Sequence, residues 1–81
     1  MKINSNYLDI DLPVGLAKIA NGRDLISTHE TAFAFGIVPQ TLRKHLCTKG
    51  SFHGVKPIKI GERWHFSVRD LALLMRGELH K

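Results

Sequence analysis

The side chains whose types and spacing could do chemistry are basic, and they lie close together in the second half of the chain. Between Pro39 and Phe66 there are six basic residues and one acidic residue, so this stretch carries a net charge of +5, which equals the formal charge of the whole chain. From Met1 to Glu30 there are three basic and four acidic residues. A solvated surface normally mixes both signs of charge. This segregation predicts binding to a polyanion. The six basic residues are Arg43, Lys44, Lys49, Lys56, Lys59 and Arg63.

Nucleic acid is favoured over a membrane as that polyanion. A helix that lies on a membrane needs a long, bulky apolar face, which the segment 39–48 does not have. No apolar run approaches the roughly 18 residues of a membrane span. The start of the chain carries polar and acidic residues where a secretory signal would be apolar, and the single cysteine, Cys47, suits a reducing cytoplasm. We therefore expect a cytoplasmic protein of one domain at most, with no membrane partner.

The histidine and cysteine residues show no spacing typical of a metal site or a nucleophilic centre. There is no C-x-x-C pair, no H-E-x-x-H helix and no glycine-rich phosphate loop. His45 and Cys47 are two residues apart and would face different directions on a helix. We expect structural or solvated histidines, and no metal, cofactor, small-molecule ligand or enzymatic activity. The scattered residues are His29, His45, Cys47, His53, His65 and His80.

Two helices separated by a glycine must position the first of these basic residues. Ser27 followed three residues later by Glu30 is a capping box, which predicts a helix from about Thr28. Gly36 supplies a left-handed residue that ends a helix, and Pro39 suits the first turn of the next one.

The second helix, predicted over residues 39–48, has two different sides. One side is expected to pack, and it carries Val38, Pro39, Leu42 and Leu46. The other side faces outward, and it carries Gln40, Thr41, Lys44 and Thr48, with Arg43 at its edge. Valine at the position before Pro39 cannot cap the helix, so this helix begins less firmly or is capped by another group.

The segment 57–66 is predicted to form a β-hairpin that follows a glycine-containing loop. If all four of its bulky apolar residues point into the core, Ile60 must pair with Trp64 and Ile58 with Phe66, which leaves a three-residue tip over 61–63. A two-residue loop would put Trp64 on the opposite face from Ile60. The expected pairing places Lys59 opposite His65 on the outer face, with Arg63 presented beside Lys59.

A third helix and an N-terminal extension complete the predicted fold. Ser67 and Asp70 predict a helix from about Val68 to Arg76, on which Leu73 faces away from the packed side, either without consequence or as an interface. The alternation of apolar and polar residues around Leu8 predicts a strand. Alternatively, this stretch leads into a helix that is entered at Pro13 and stops near Gly22.

This N-terminal extension, residues 1–24, has two alternative roles. It packs against the first predicted helix and covers Phe33, or it forms a surface for a protein partner or for self-association. We treat residues 25–81 as the domain that carries the basic residues.

The ordered set of a capped helix, GIVPQTLRKHL, a glycine loop, PIKIGERWHF and a closing helix resembles the winged helix-turn-helix of phage excisionases, AlpA-type phage regulators and the DNA-binding head of MerR-type regulators. The resemblance covers about Leu25 to Gly77. It implies a mainly α fold with a small β-hairpin, in which the second helix enters the major groove of double-stranded DNA and the hairpin lies as a wing on the backbone or in the minor groove. Matched positions are Pro39, Thr41, Leu42 and Arg43 in the second helix, and Lys59, Gly61 and Arg63 in the wing. Val38 departs from the family, which commonly has serine there.

Contact roles on DNA follow from side-chain chemistry. Gln40 and Lys44 suit the base edges of adenine and guanine, and Thr41 suits a thymine methyl group or a phosphate. Backbone contacts are expected from Arg43, Thr48 and Lys49. In the wing, Lys59 and Arg63 suit phosphates, or an arginine that enters a narrow minor groove.

Two functions from different classes follow. The first is a sequence-specific DNA-binding protein of a phage or mobile element, associated with the nucleoid, that acts as an excisionase or a small transcription regulator. Copies of it would pair as a dimer or line up on repeated sites. The second is a protein-interaction adaptor that uses the same fold through Phe33, Leu73 and the N-terminal extension.

Overall fold

A computed structural model describes residues 12–78 of the chain. These residues form a small mixed α/β fold of four helices and one three-stranded antiparallel sheet, in which helices predominate. The elements in chain order are α1 (Val14–Ala20), β1 (Leu25–Ser27), α2 (Thr28–Ala34), α3 (Pro39–Lys49), β2 (Ile58–Ile60), β3 (Arg63–Ser67) and α4 (Val68–Met75).

The three predicted helix starts are confirmed, and they are of two kinds. At α2 the hydroxyl of Ser27 accepts the backbone N–H of Glu30 at 3.1 Å, and the Glu30 carboxylate accepts the backbone N–H of Ser27 at 2.9 Å. At α4 the hydroxyl of Ser67 accepts the backbone N–H of Asp70 at 3.2 Å. Val38 precedes α3 without any side-chain cap. The fixed backbone of a proline at the first helical position therefore replaces a cap at α3.

The turn between α2 and α3 is short because Gly36 adopts a left-handed conformation, with φ of +70°. The backbone N–H of Ile37 donates to the carbonyl of Ala32 at 3.0 Å, which closes the end of α2. Phe35 and Ile37 both pack against the core from this turn. The predicted glycine stop is confirmed, and α3 restarts three residues later.

The N-terminal extension forms a helix and shares the main core. Helix α1 follows Pro13 and ends at Asn21, a left-handed residue. Its buried residues Leu16 and Ala20 belong to the same apolar cluster as the rest of the fold. The helix entered at Pro13 is therefore confirmed, while the predicted strand around Leu8 lies mostly outside the described residues. The buried cluster consists of Leu16, Ala20, Ile26, Ala32, Leu42, Phe52, Val55, Phe66, Val68, Leu71 and Ala72.

Phe33 is not covered by α1, and this part of the prediction is wrong for the described residues. Its side chain is 76% exposed, on the side of α2 that points away from the core. The buried residues of α2 are Thr31 and Ala32, and Thr31 donates its hydroxyl hydrogen to the carbonyl of Ser27 at 2.8 Å. Helix α1 packs against α2 through the core side instead.

Strand β1 is an element that the sequence did not reveal. It pairs antiparallel with β3, so that Ile26 lies opposite Phe66, and both residues are fully buried. The strand order is β1-β3-β2, which makes β3 the central strand. The backbone N–H of Val68 also donates to the carbonyl of Asp24 at 2.8 Å, and this bond ties the start of α4 to the start of β1.

The predicted hairpin register is wrong. Ile60 pairs with Arg63, Lys59 with Trp64 and Ile58 with His65, so that the loop has two residues, Gly61 and Glu62. Gly61 has a φ of +63°, which suits the first central position of a type II′ turn. Three apolar side chains of the hairpin are exposed, namely Ile58 at 43%, Ile60 at 51% and Trp64 at 43%, whereas Phe66 is buried.

The physical reason is that the hairpin extends beyond the core. Phe66 and its partner Ile26 are fully buried, whereas Trp64, two residues earlier on the same face of β3, is 43% exposed. The tight turn then sets the register, because a two-residue loop with glycine first matches the twist of the strands. Burial of every apolar residue is not required in a protein of this size.

Helix α4 is confirmed, with Arg76 as its last, capping residue. Val68, Leu71 and Ala72 are buried, and Leu74 and Met75 pack against the core. Leu73 is partly buried rather than fully open, and its carbonyl accepts the backbone N–H of Glu78 at 2.8 Å.

Candidate functional site

The outward side of α3 is continuous and polar. Leu42 is buried, and Leu46 packs against the core. At roughly 100° of rotation per residue, the side opposite Leu42 is centred on Gln40, Lys44 and Cys47. We call the exposed residues of α3 that were predicted to contact DNA the basic face: Gln40, Thr41, Arg43, Lys44 and Thr48 on the outward side, and Lys49 at the end of the helix.

The edges of the basic face differ from its centre. Arg43 lies on one edge, while Thr41 and Thr48 lie on the other. Thr48 donates its hydroxyl hydrogen to the carbonyl of Lys44 at 2.8 Å, so its oxygen remains available only as an acceptor. A phosphate oxygen needs a donor, and the Thr48 hydroxyl must rotate away from the helix before it can fill the predicted backbone contact.

Two residues next to the basic face differ from prediction. Cys47, which received no role in the sequence analysis, is exposed near the centre of the face. Val38 was placed on the packed side of α3, but it is 59% exposed. The helical wheel could have identified Cys47, because it lies one turn from both Arg43 and Lys44. Val38 precedes the helix, and the wheel does not apply to it.

The cations of the segment 39–66 form no ion pairs in the described part of the chain. The ion pairs found in residues 12–78 join Arg23 to Glu30 and Arg76 to Glu78, and both lie outside this segment. Each of the six basic side chains is exposed. Because no carboxylate neutralises them, α3, the loop and the hairpin each expose positive charge that an anionic partner can approach.

The hairpin presents its two predicted contact residues on opposite faces. Paired residues of antiparallel strands share a face, so Lys59 lies with Trp64, and Arg63 lies with Ile60. The Lys59 ammonium nitrogen is 5.4 Å from the centre of the Trp64 ring, which is cation–π geometry. The predicted placement of Arg63 beside Lys59, and of Lys59 opposite His65, is wrong.

The loop between α3 and β2 is fixed by a small turn of its own. The backbone groups of Phe52 and Val55 exchange two hydrogen bonds of 2.9 Å, and the two residues between them, His53 and Gly54, both have positive φ. This is the pattern of a type I′ turn. Phe52 is buried, with its ring 5.1 Å from that of Phe35. The loop therefore anchors the end of α3 to the core before the chain enters the hairpin.

The start of α2 has the clearest electrostatic perturbation. The Arg23 guanidinium bonds the Glu30 carboxylate at 2.6 and 3.2 Å, and this contact, followed by the backbone N–H of Ser27, lowers the pKa of Glu30. The same hydrogen bonds raise the pKa of Arg23. Arg23 also donates to the carbonyls of Ile19 and Ala20, so this residue joins the end of α1 to the start of α2.

Of the two predicted interface residues, only Phe33 is strongly exposed, and Leu73 is partly buried. Within residues 12–78, no group of three or more histidine, cysteine or acidic side chains could hold a metal ion. None of the described helices has the length and apolar character needed to cross a membrane.

A scan of the chain against protein-family models finds no match. A search of curated proteins finds no significant relative either.

Proposed function

We propose that the chain is a sequence-specific double-stranded DNA-binding protein with a winged helix-turn-helix, in which α2 and α3 form the helix-turn-helix and β2 and β3 form the wing. The observation that carries the proposal is the group of six exposed cations on α3, the loop and the hairpin, none of which forms an ion pair within the described residues. Phosphate contacts by such residues supply most of the non-specific affinity of DNA-binding proteins.

Helix α3 suits the major groove, which admits one α-helix. Its exposed arc is polar across its width and carries Gln40 and Lys44 near the centre, where base edges would lie. Arg43 on one edge suits a phosphate of the groove wall. Thr41 contacts a thymine methyl group or a phosphate on the other edge, and Lys49 contacts phosphate at the end of the helix.

The wing contributes positive charge rather than base recognition. Lys59 and Arg63 project from opposite faces of the hairpin, so one hairpin can contact phosphates on both of its sides. The ring of Trp64 limits the positions of the Lys59 ammonium group. Helix and wing therefore act on one duplex as separate contacts for bases and backbone.

The test is a charge-reversal comparison in which the net charge of the protein changes equally. The variant K44E/R63E reverses one charge on α3 and one on the hairpin. The control K18E/R69E reverses two exposed cations on α1 and α4, outside the basic segment. Binding to duplex DNA is measured by fluorescence anisotropy at about 50 and 200 mM salt, where phosphate contacts have a strong effect.

We expect K44E/R63E to lose duplex affinity by at least about 100-fold at the lower salt concentration, and the control to stay within about five-fold of the native protein. Equal losses in the two variants would show that only net charge matters. No binding of the native protein at low salt would contradict the proposal outright.

The biological setting follows from the resemblance. An excisionase or a small transcription regulator of a phage or mobile element would act through where it binds and what it bends or blocks. Footprinting on the DNA that neighbours its own gene would identify the site. Repeated protected segments would indicate that copies line up or pair on DNA.

A protein-interaction adaptor is the second candidate, and the exposure of Phe33 favours it. A phenylalanine that is 76% exposed on a helix is a typical anchor for a protein partner. Val14 of α1 is also 72% exposed. If the variant F33A binds a specific duplex as tightly as the native protein does, the surface around Phe33 is not part of the DNA contact.

A further inference from the structure

We propose that His45 and His53 form a proton-dependent phosphate-binding site at the end of α3, which contacts the DNA backbone on the side of the helix away from Arg43. This inference rests on the proposed DNA-binding function. The two imidazole rings lie side by side, with their centres 5.0 Å apart. The sequence showed no reason to connect them, because seven residues lie between them.

The histidine pair lines an open hollow of about 240 Å³ between α3 and the loop that follows it. Lys49 and Ser51 line the same hollow, together with Gly54. An ammonium group, a hydroxyl group and two imidazoles are the donors that a phosphate group needs. No acidic side chain lines the hollow.

The shape of the hollow depends on contacts of the two histidines with the buried Phe52 and on the backbone of the turn. Phe52 is buried, and its ring centre is 5.3 Å from that of His45 and 4.7 Å from that of His53. His53 itself has a φ of +50°, a conformation that the type I′ turn requires. The two imidazoles are therefore held by backbone and ring contacts, so binding a ligand there orders few new groups.

The position of the histidine pair on α3 fits a contact with the second phosphate backbone that borders the major groove. At roughly 100° per residue, His45 follows Thr41 and Thr48 around α3, on the opposite side of the basic face from Arg43. A helix in the major groove has a phosphate backbone on each side. Arg43 serves one wall, and the histidine pair with Lys49 serves the other.

The charge of the site depends on pH. The titratable groups that line the hollow are His45 and Lys49 from α3 and His53 from the loop. From the end of α2, Phe35 contacts Phe52 of the loop, and neither side chain carries a charge. A protonated imidazolium attracts a phosphate oxygen, whereas a neutral ring does so weakly. We therefore expect duplex affinity to rise when the solution is made more acidic.

The experiment compares duplex affinity at pH 7.5 and pH 6.0, at fixed ionic strength, for three proteins. The variant H45Q/H53N removes both imidazoles, and asparagine at position 53 tolerates the left-handed backbone. The control H29Q removes an exposed histidine of α2 outside the hollow. We expect the native protein and H29Q to bind about five-fold more tightly at pH 6.0, and H45Q/H53N to show no such gain.

A gain that persists in H45Q/H53N, or is absent from the native protein, would overturn the proposal. If the double variant fails to fold, the single variant H53N, which changes only the loop, replaces it, and we expect it to lose about half of the logarithmic gain.

A second measurement tests phosphate binding at the two histidines independently of duplex binding. Inorganic phosphate is titrated into the native protein at pH 6.0, with the histidine ring signals followed by NMR. Selective shifts of His45 and His53, with His29 unchanged, support the site even if no duplex binds. Equal shifts of all three histidines, or none, overturn it. Selective shifts without any role of the pair in duplex affinity overturn its assignment to the DNA backbone.

Discussion

The junction around Arg23 and the basic face on α3 use positive charge in opposite ways. Arg23 donates to two backbone carbonyls and to the Glu30 carboxylate, so its guanidinium is committed within the molecule. Lys44, on the basic face, is exposed and has no ion-pair partner among the described residues. The comparison teaches that the cations of this small protein differ in whether they hold the fold together or remain exposed to solvent.

This difference has measurable consequences, because the two classes of residue should respond to different experiments. Substitutions at the Arg23 junction should change the free energy of unfolding and leave intrinsic duplex affinity unchanged. Substitutions on the basic face and the hairpin should do the reverse. A substitution that changed the free energy of unfolding and the duplex affinity to the same extent would contradict this division.

The largest expected effect is on base preference in the variant Lys44→Ala. Removing a side chain that contacts a base edge should reduce discrimination at one base pair by about 1–3 kcal/mol. Titrations of native protein and variant with a cognate and a scrambled duplex measure this quantity. Equal loss of affinity on the two duplexes would show that Lys44 contacts phosphate instead. The free energy of unfolding should change by less than about 0.5 kcal/mol, because the side chain is exposed.

Ser27→Ala should have the next largest effect, and on stability alone. The substitution leaves the backbone N–H of Glu30 without its hydroxyl acceptor, and loss of a helix cap lowers the free energy of unfolding by about 1 kcal/mol. Urea unfolding followed by circular dichroism measures the loss. The matched variant Val38→Ala removes no cap, since Val38 makes none, and should be close to neutral. A similar loss in both variants would contradict the assigned capping role.

Lys59→Ala should produce a smaller, sequence-independent change in binding. Loss of one phosphate contact reduces the slope of log affinity against log salt by about 0.9. Cognate and scrambled duplexes should be affected alike. The matched variant Trp64→Leu keeps the charge and removes the ring under it, so its salt slope should remain native. An unchanged slope in Lys59→Ala would remove the wing from the phosphate contacts.

The smallest effect concerns acid stability and Glu30. Because Arg23 lowers the pKa of Glu30 below its ordinary value of 4.5, the folded state is favoured above that value, and this contribution is lost as the pH falls through the lowered pKa. Glu30→Gln should therefore be less stable than the native protein by about 0.3–0.5 kcal/mol at pH 7, and the difference should shrink as the pH falls below 4.5. Urea unfolding at pH 7, 5 and 3 tests this. A difference that stays constant with pH would rule out the carboxylate charge as its cause.

Local sequence signals predicted the helices well, because caps and breakers act over a few residues. Ser27 with Glu30, Ser67 with Asp70, Gly36 and Pro39 each occur where the structure starts or ends a helix. Exposure of the basic face also followed from the helical wheel, since α3 buries Leu42. These features depend on neighbours in sequence, and no knowledge of the tertiary fold was needed.

The strands and the histidine pair depend on contacts between distant segments. Strand β1 is three residues long and is defined by its pairing with β3, so no local periodicity indicates it. The hairpin register failed because the prediction assumed a core beneath Trp64, and the depth of the core is a tertiary property. The proximity of His45 and His53 arises from the turn that Phe52 anchors.

The central position of β3 also has a consequence for motion. Strand β2 is bonded on one side only, and its residues Ile58 and Ile60 are exposed, so it can separate from the sheet without disturbing the core. Strand β3 is held between two neighbours, contains the buried Phe66 and ends at Ser67, the cap of α4. Displacing the outer strand would therefore expose less apolar surface than displacing the inner strand, which carries a buried side chain and a helix cap.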